Sequence, residues 1–155
     1  MLKLKMIIMS LGMGKEILTR EKIMVKLRHA IKIAASTDRV YQALTDPEQM
    51  VSWHAGEVTG VVALGDLLEL QPKPGLRFGW KTVALNPGVS LVQTCVEGPG
   101  GSIGRTLRFD LSGADAHTTV TLTDGDWSEN DPHLPFCNTH WGQVLHDLKI
   151  FLEEN

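Results

Sequence analysis

Apolar and polar positions begin to alternate at Lys26. Leu27, His29, Ile31 and Ile33 are separated by Arg28, Ala30 and Lys32, the period-two pattern of a strand with one buried face. Ser36 then reads as a helix N-cap, with Asp38 in the first turn where the helix dipole favours a carboxylate. Val40, Tyr41 and Leu44 give that short helix its apolar face. Asp46-Pro47 repeats the start signal for a second short helix reaching about His54. Strand patterns over 57–63 and 67–71 flank the turn Leu64-Gly65-Asp66. Leu76, Phe78 and Trp80 share a face, and a strand over 90–96 follows the turn Asn86-Pro87-Gly88. Leu107, Phe109 and Leu111, and then Thr118, Val120 and Leu122, complete the alternating segments. This spacing predicts an antiparallel meander. The stretch 124–138 reads as irregular and solvated. Asn138 or Thr139 is expected to cap a last helix to about Glu153, whose apolar stripe is Trp141, Val144, Leu145, Leu148, Phe151 and Leu152.

One strand, two short helices, about six more antiparallel strands and a long terminal helix are an α+β order. They suit a curved sheet closed by the helix's apolar stripe. The run Ala34-Ala35-Ser36-x-Asp38-x-Val40-Tyr41-x-Ala43-Leu44-Thr45-Asp46-Pro47, followed by Trp53, resembles the opening of the SRPBCC (START-like) superfamily, whose architecture is the helix-grip fold. It is most similar to the branch of homologues of the heat-shock-protein-90 ATPase activator. Phe78-x-Trp80, Phe109-Asp110-Leu111, the strand over 118–123 and Trp127 fit in order. The resemblance covers residues 25–155. It departs at Tyr41, where the branch often carries Trp, and over 1–24, which has no counterpart and is expected to be a poorly ordered extension. What it implies is a cavity between a sheet of six to seven strands and the last helix, holding a lipid, a polyketide-like molecule or another apolar ligand. Co-chaperone activity is not strongly implied, because the activators carry a separate chaperone-contacting domain.

Length and composition narrow the rest. The 155 residues make one domain. With 43% apolar and 21% charged residues the composition is ordinary globular. Two cysteines, Cys95 and Cys137, are too few for a disulfide framework. Residues 1–32 hold eight Lys/Arg against two acids, and the remainder seven against sixteen. An acidic body argues against nucleic acid as a partner. The apolar run 6–13 is too short to span a bilayer and lacks a cleavage site. The expectation is therefore a cytoplasmic protein without integral membrane association. Met13 and Met24 are alternative starts.

The expected ligand-binding residues are Trp53, His54, Phe78, Trp80, Gln93, Phe109, Val120, Trp127, Trp141 and Leu145. Small-molecule sites are mostly apolar with a few polar anchors, and His54 and Gln93 are the anchors proposed. Phe136 joins the aromatic set. The same aromatic residues also suit a packed core. His133, Cys137 and His140 are the nearest approach to a zinc set but match no standard spacing. Asp124, Asp126 and Asp131 fail the calcium-loop pattern, with Glu129 and Pro135 where glycine and glutamate are needed. No catalytic set, metal site or cofactor is assigned. The glycine-rich 98–104 reads as a hairpin loop over the cavity entrance. Two other function classes stay open: a cyclase- or hydrolase-like enzyme using the cavity, and a protein-interaction module in which Trp127 and the 124–138 loop form an exposed patch. A homodimer is compatible with all three.

Overall fold

A computed structural model describes the backbone over residues 6–11, 15–20 and 23–154, with side chains from residue 23 onward. Strands β1 (Met6–Leu11) and β2 (Lys15–Arg20) pair antiparallel as a separate two-stranded sheet. The expectation of poor order over 1–24 also covers residues 1–5, 12–14 and 21–22, which lie outside the described ones. The main sheet has seven strands, all antiparallel. They are β3 (Met24–Ile33), β4 (Glu57–Gly60), β5 (Leu67–Lys73), β6 (Leu76–Asn86), β7 (Ser90–Glu97), β8 (Thr106–Ala114) and β9 (His117–Ser128). Their order is β3-β9-β8-β7-β6-β5-β4. Consecutive hairpins build β4 to β9, and β3 closes the row beside β9. Helices α1 (Thr37–Thr45) and α2 (Pro47–Trp53) carry the chain from one sheet edge to the other. Helix α3 (Leu134–Glu154) packs on the inner face of the curved sheet.

Local sequence explains the short helices. Ser36 Oγ accepts from the Arg39 amide at 3.2 Å, and Asp46 Oδ1 accepts from the Glu48 amide at 3.0 Å. Each satisfies a first-turn amide that the helix itself cannot. Pro47 sits in the first turn of α2, where no amide donor is needed. The Trp53 indole donates to the Ala43 carbonyl at 3.1 Å and fastens α2 back onto α1.

Besides a shorter β4 and a longer β6, two boundaries differ from the sequence reading in ways that bear on the interior. The sheet continues through Ser128 rather than stopping at Thr123, so Asp124 is a buried strand residue and not part of a solvated loop. Its phase is that of Thr118, Val120 and Leu122, and the ladder with β3 and β8 carries it inward. Helix α3 begins at Leu134, because Pro135 is tolerated in a first turn.

The core lies between the sheet's inner face and α3. Ile33, Leu91, Phe109, Val120 and Leu122 meet Trp141, Val144, Leu145, Leu148 and Leu152 there. Three contacts set the direction of α3. His29 of β3 lies beside Gly142. Lys149 Nζ donates to the Lys32 carbonyl, and Arg39 donates to the Leu152 carbonyl at 3.1 Å. The helix therefore runs along β3, its first half over the end of β9 and its last turn beside α1. Among the described residues no helix is long and apolar enough to cross a membrane.

Candidate functional site

Directly opposed residues in an antiparallel ladder point to the same face. Register alone therefore defines a row across five strands: Thr82 of β6 opposes Gln93 of β7, Gln93 opposes Leu107 of β8, Leu107 opposes Asp124 of β9, and Asp124 opposes Leu27 of β3. All five are buried on the inner face. Three are polar, on a face whose other buried residues are mostly apolar. The next row, Leu91–Phe109–Leu122–His29, is apolar except for His29.

The polar row is incompletely satisfied. Thr82 Oγ1 and Gln93 Nε2 have no hydrogen-bond partner within the protein. Asp124 Oδ2 accepts from the Trp141 indole at 2.9 Å, which pins the first half of α3 to β9. Asp124 Oδ1 is unpaired, as is Trp127 Nε1. The Trp127 indole nonetheless lies near enough to act as a second donor favouring the charged carboxylate. Burial pushes the Asp124 carboxyl above its ordinary range, against the two indoles and the Arg105 guanidinium, which favour ionisation.

Arg105 seals this end of the row. Its guanidinium carbon stands 3.2 Å from the centroid of the Trp127 ring, and Nη2 donates to Asp131 Oδ2 at 3.1 Å. Trp127 is therefore 3% exposed, which removes it from any surface patch. Phe136, by contrast, is 77% exposed and lines no interior.

At the other end of α3's contact with α2, four rings follow one another. Trp53, His54, His140 and Trp141 have successive centroid separations of 5.4, 6.4 and 5.5 Å. His54 follows α2 as its C-cap residue and is 8% exposed. Burial drives its pKa down to about 4; the Ala55 carbonyl opposes this, and the nearby His140 adds to it. Burial also lowers His140. A neutral His54 facing His140 offers hydrogen-bonding capacity without charge.

Of the ten expected binding residues, Trp80, Gln93, Phe109 and Val120 lie on the sheet's inner face, and Trp141 and Leu145 on the facing side of α3. Trp53 and His54 sit at the end of α2, and Trp127 beneath Arg105. Phe78 is only half-buried, opposite Leu70 near the β4 edge. Apart from Phe78, these residues are between 0% and 8% exposed. A side chain lining a water-sized void would expose area to it, so the sheet–helix space is almost closed in this conformation. A concavity of about 490 Å³ opens to solvent beside it, between the end of α2 and the later half of α3, with Trp53, His54, Asp147, Ile150, Phe151 and Glu154 among its walls. Trp53 and His54 therefore separate the outside from the closed interior.

Sequence reasoning missed Thr82, Asp124 and Arg105. Asp124 and Thr82 were visible in principle, each one step further along a recognised alternation. Nothing local marks Arg105, whose partners lie 22 and 26 positions away. His133 turns to Asp131 at 3.2 Å and His140 to His54. Among the described residues no group of three or more His, Cys, Asp or Glu is placed to hold a metal ion. The glycine-rich segment is tied down: Gly104 N–H donates to the Cys95 carbonyl, and Ser102 Oγ to that of Pro99.

The family model described as Activator of Hsp90 ATPase homolog 1-like protein matches residues 34–153, from the end of β3 through nearly all of α3. The chain belongs to this family. A member of the solved structures with the same architecture is the Aha1 dimer of Colwellia psychrerythraea, 28% identical, with 84% of this chain and 97% of that chain aligned and a TM-score of 0.77. Protein MLL2253 of Mesorhizobium loti superposes with a TM-score of 0.75 at 16% identity, over 84% of this chain and 98% of its own. CalU16 of Micromonospora echinospora aligns over 97% of this chain and 85% of its own, with 19% identity and a TM-score of 0.69. These last two likenesses speak for the fold alone. No curated protein sequence matches the chain.

Proposed function

We propose that this family member binds a small hydrophobic or amphipathic molecule between the sheet and α3. The observation that carries the reading is the pair Thr82 and Gln93, opposed on adjacent strands, fully buried and without partners. Each unpaired buried polar group costs about 1–3 kcal/mol. A domain selected only for packing would hold apolar side chains there. A ligand that supplies the missing partners removes the cost. Because the interior is closed, binding requires Trp53 and His54 to move aside at the α2–α3 concavity, and a ligand favouring the opened form shifts the population towards it. Trp80, Phe109, Val120, Trp141 and Leu145 form the apolar walls.

The test uses the full chain. Purified protein is extracted with organic solvent and, separately, melted with and without long-chain fatty acids, sterols and aromatic phenols. A retained or stabilising apolar compound is expected, with its effect weakened roughly threefold to tenfold in affinity by Gln93→Leu. Gln93→Leu alone raises the stability of the empty protein by about 1–2 kcal/mol, since it replaces an unpaired amide by an apolar group of similar size. No stabilisation by any compound class, with nothing retained, overturns the reading.

The exposed Phe136, together with the family, supports a second reading: contact with a chaperone partner through the start of α3. Phe136→Ala would then abolish binding to purified heat-shock protein 90 while leaving the melting temperature unchanged. The dimer described for the Colwellia protein supports a homodimer here, which native mass spectrometry tests. The two free thiols, Cys95 and Cys137, support a reducing, cytoplasmic setting.

A further inference from the structure

Strands β1 and β2 form a sheet of their own, apart from the main one. Directly opposed residues share a face, so the register puts Ile7, Met9, Leu11 and Ile17 on one face of this hairpin and three further apolar positions on the other. A lone two-stranded sheet is marginally stable at best in water and needs a third strand or a packed face. Residues 1–22 hold five Lys/Arg against two Glu, so the surface that covers the hairpin is expected to be acidic as well as apolar. The concavity between α2 and the later half of α3 has that character. It measures about 490 Å³, and its walls include Trp53, Ile150 and Phe151. Ile150 and the neighbouring Val51 of α2 stand 38% and 55% exposed. Asp147 and Glu154 complete the walls, which contain no Lys or Arg. These two acids are seven residues apart and so lie on one side of α3. Asp147 Oδ1 accepts from the neutral Gln143 amide at 2.9 Å, and the nearby Lys149 is engaged by Glu153. The groove therefore keeps an unbalanced negative charge beside its apolar surface.

We propose that the β1–β2 hairpin of a second copy of this chain covers the concavity, each protomer laying its hairpin across the α2–α3 groove of its partner. This rests on the reading of the protein as a homodimer. The exchange is reciprocal, so it closes at two copies, and it sets a basic arm against an acidic rim. The hairpin is poorly placed for the groove of its own chain. β3 begins at Met24, opposite Ser128, while the concavity borders the last turns of α3, beside the far end of β3. The ten residues of β3 span roughly 30 Å. The six-residue strands of the hairpin span only roughly 20 Å. Hung from Met24, even with the connection 21–23, the hairpin would reach its own concavity with the turn alone, whereas that of a second copy can lie along it.

Two full-length variants test the pairing: a groove variant, Asp147→Lys with Glu154→Lys, and an arm variant, Lys15→Glu with Arg20→Glu. Wild type is expected to be a dimer in native mass spectrometry and gel filtration at low salt. Each variant should dimerise about tenfold or more weakly, because like charges then face each other, with its near-ultraviolet circular dichroism spectrum unchanged. Mixing the two variants, one of them isotope-labelled, should restore a heterodimer, since every arm then meets a groove of opposite charge. If either variant dimerises as tightly as wild type, or the mixture forms no heterodimer, the inference is wrong while the homodimer stands. If wild type is monomeric throughout the micromolar range, the homodimer reading itself is wrong and this inference goes with it.

Discussion

Lowering the pH from 7 to 5 is expected to weaken the fold through His54. The side chain is 8% exposed, and its pKa in the folded protein is about 4, against 6.5 for an imidazole in water. The unfolded chain therefore binds a proton at a higher pH than the folded one does. Stability falls wherever the unfolded state holds more protons and the pH is lowered. The loss begins near pH 6.5, grows down to about pH 4 and is constant below that. For these two pKa values the linkage relation gives a loss of about 2 kcal/mol between pH 7 and pH 5. His140 acts in the same direction, because its pKa is also lowered. Asp124 acts in the opposite direction, since a carboxyl with a raised pKa favours the fold at lower pH. A comparison of wild type with His54→Gln isolates the contribution of His54. Urea unfolding followed by tryptophan fluorescence at pH 7 and pH 5 measures it, and the variant should lose about 2 kcal/mol less than wild type over that interval. Equal losses in the two proteins would refute the account of His54 as a histidine held neutral by burial.

Further outcomes follow from the contacts around the polar row. Trp141→Phe keeps the ring packing and removes the donor to Asp124 Oδ2; it should cost about 2 kcal/mol in chemical denaturation, the scale for a hydrogen bond to a charged group. Arg105→Met loses both the stacking on Trp127 and the ion pair with Asp131; a loss of about 1–3 kcal/mol is expected, with a red shift in tryptophan emission as Trp127 gains solvent. Gly56 and Gly65 both have positive φ, +74° and +83°, but only at Gly56 would a Cβ collide with backbone, 2.0 Å from the Gln71 carbonyl oxygen. Gly65→Ala should therefore lower stability by only about 1 kcal/mol, and Gly56→Ala by several times as much; similar thermal shifts for both would contradict the close approach of β5 to Gly56.

The sheet, the short helices and the stripe of α3 were legible because each follows from a local rule. Alternation along Leu27–Ile33 places those side chains on one face whatever the partner strand is. Ser36 and Asp46 cap their helices through amides only two or three residues away. The family signature lies in that same capped stretch. His54 and Gln93 were legible as polar side chains beside apolar runs, but their satisfaction was not, since a hydrogen-bond partner is a matter of tertiary placement. The end of β9 shows the limit of local reading. Asp124, Gly125 and Asp126 look like a solvated loop in isolation, yet Asp124 pairs with both β3 and β8, and Gly125 with β8, which keeps the strand going and buries the first carboxylate. Arg105 over Trp127, and His54 facing His140, depend on elements distant in the chain. Sequence by itself determined the inward phase of the regularly alternating strands and of the α3 stripe. Only the tertiary structure decided how closely α3 and α2 shut the interior, because the volume left between two packed surfaces is a small difference between large shapes that no local pattern encodes.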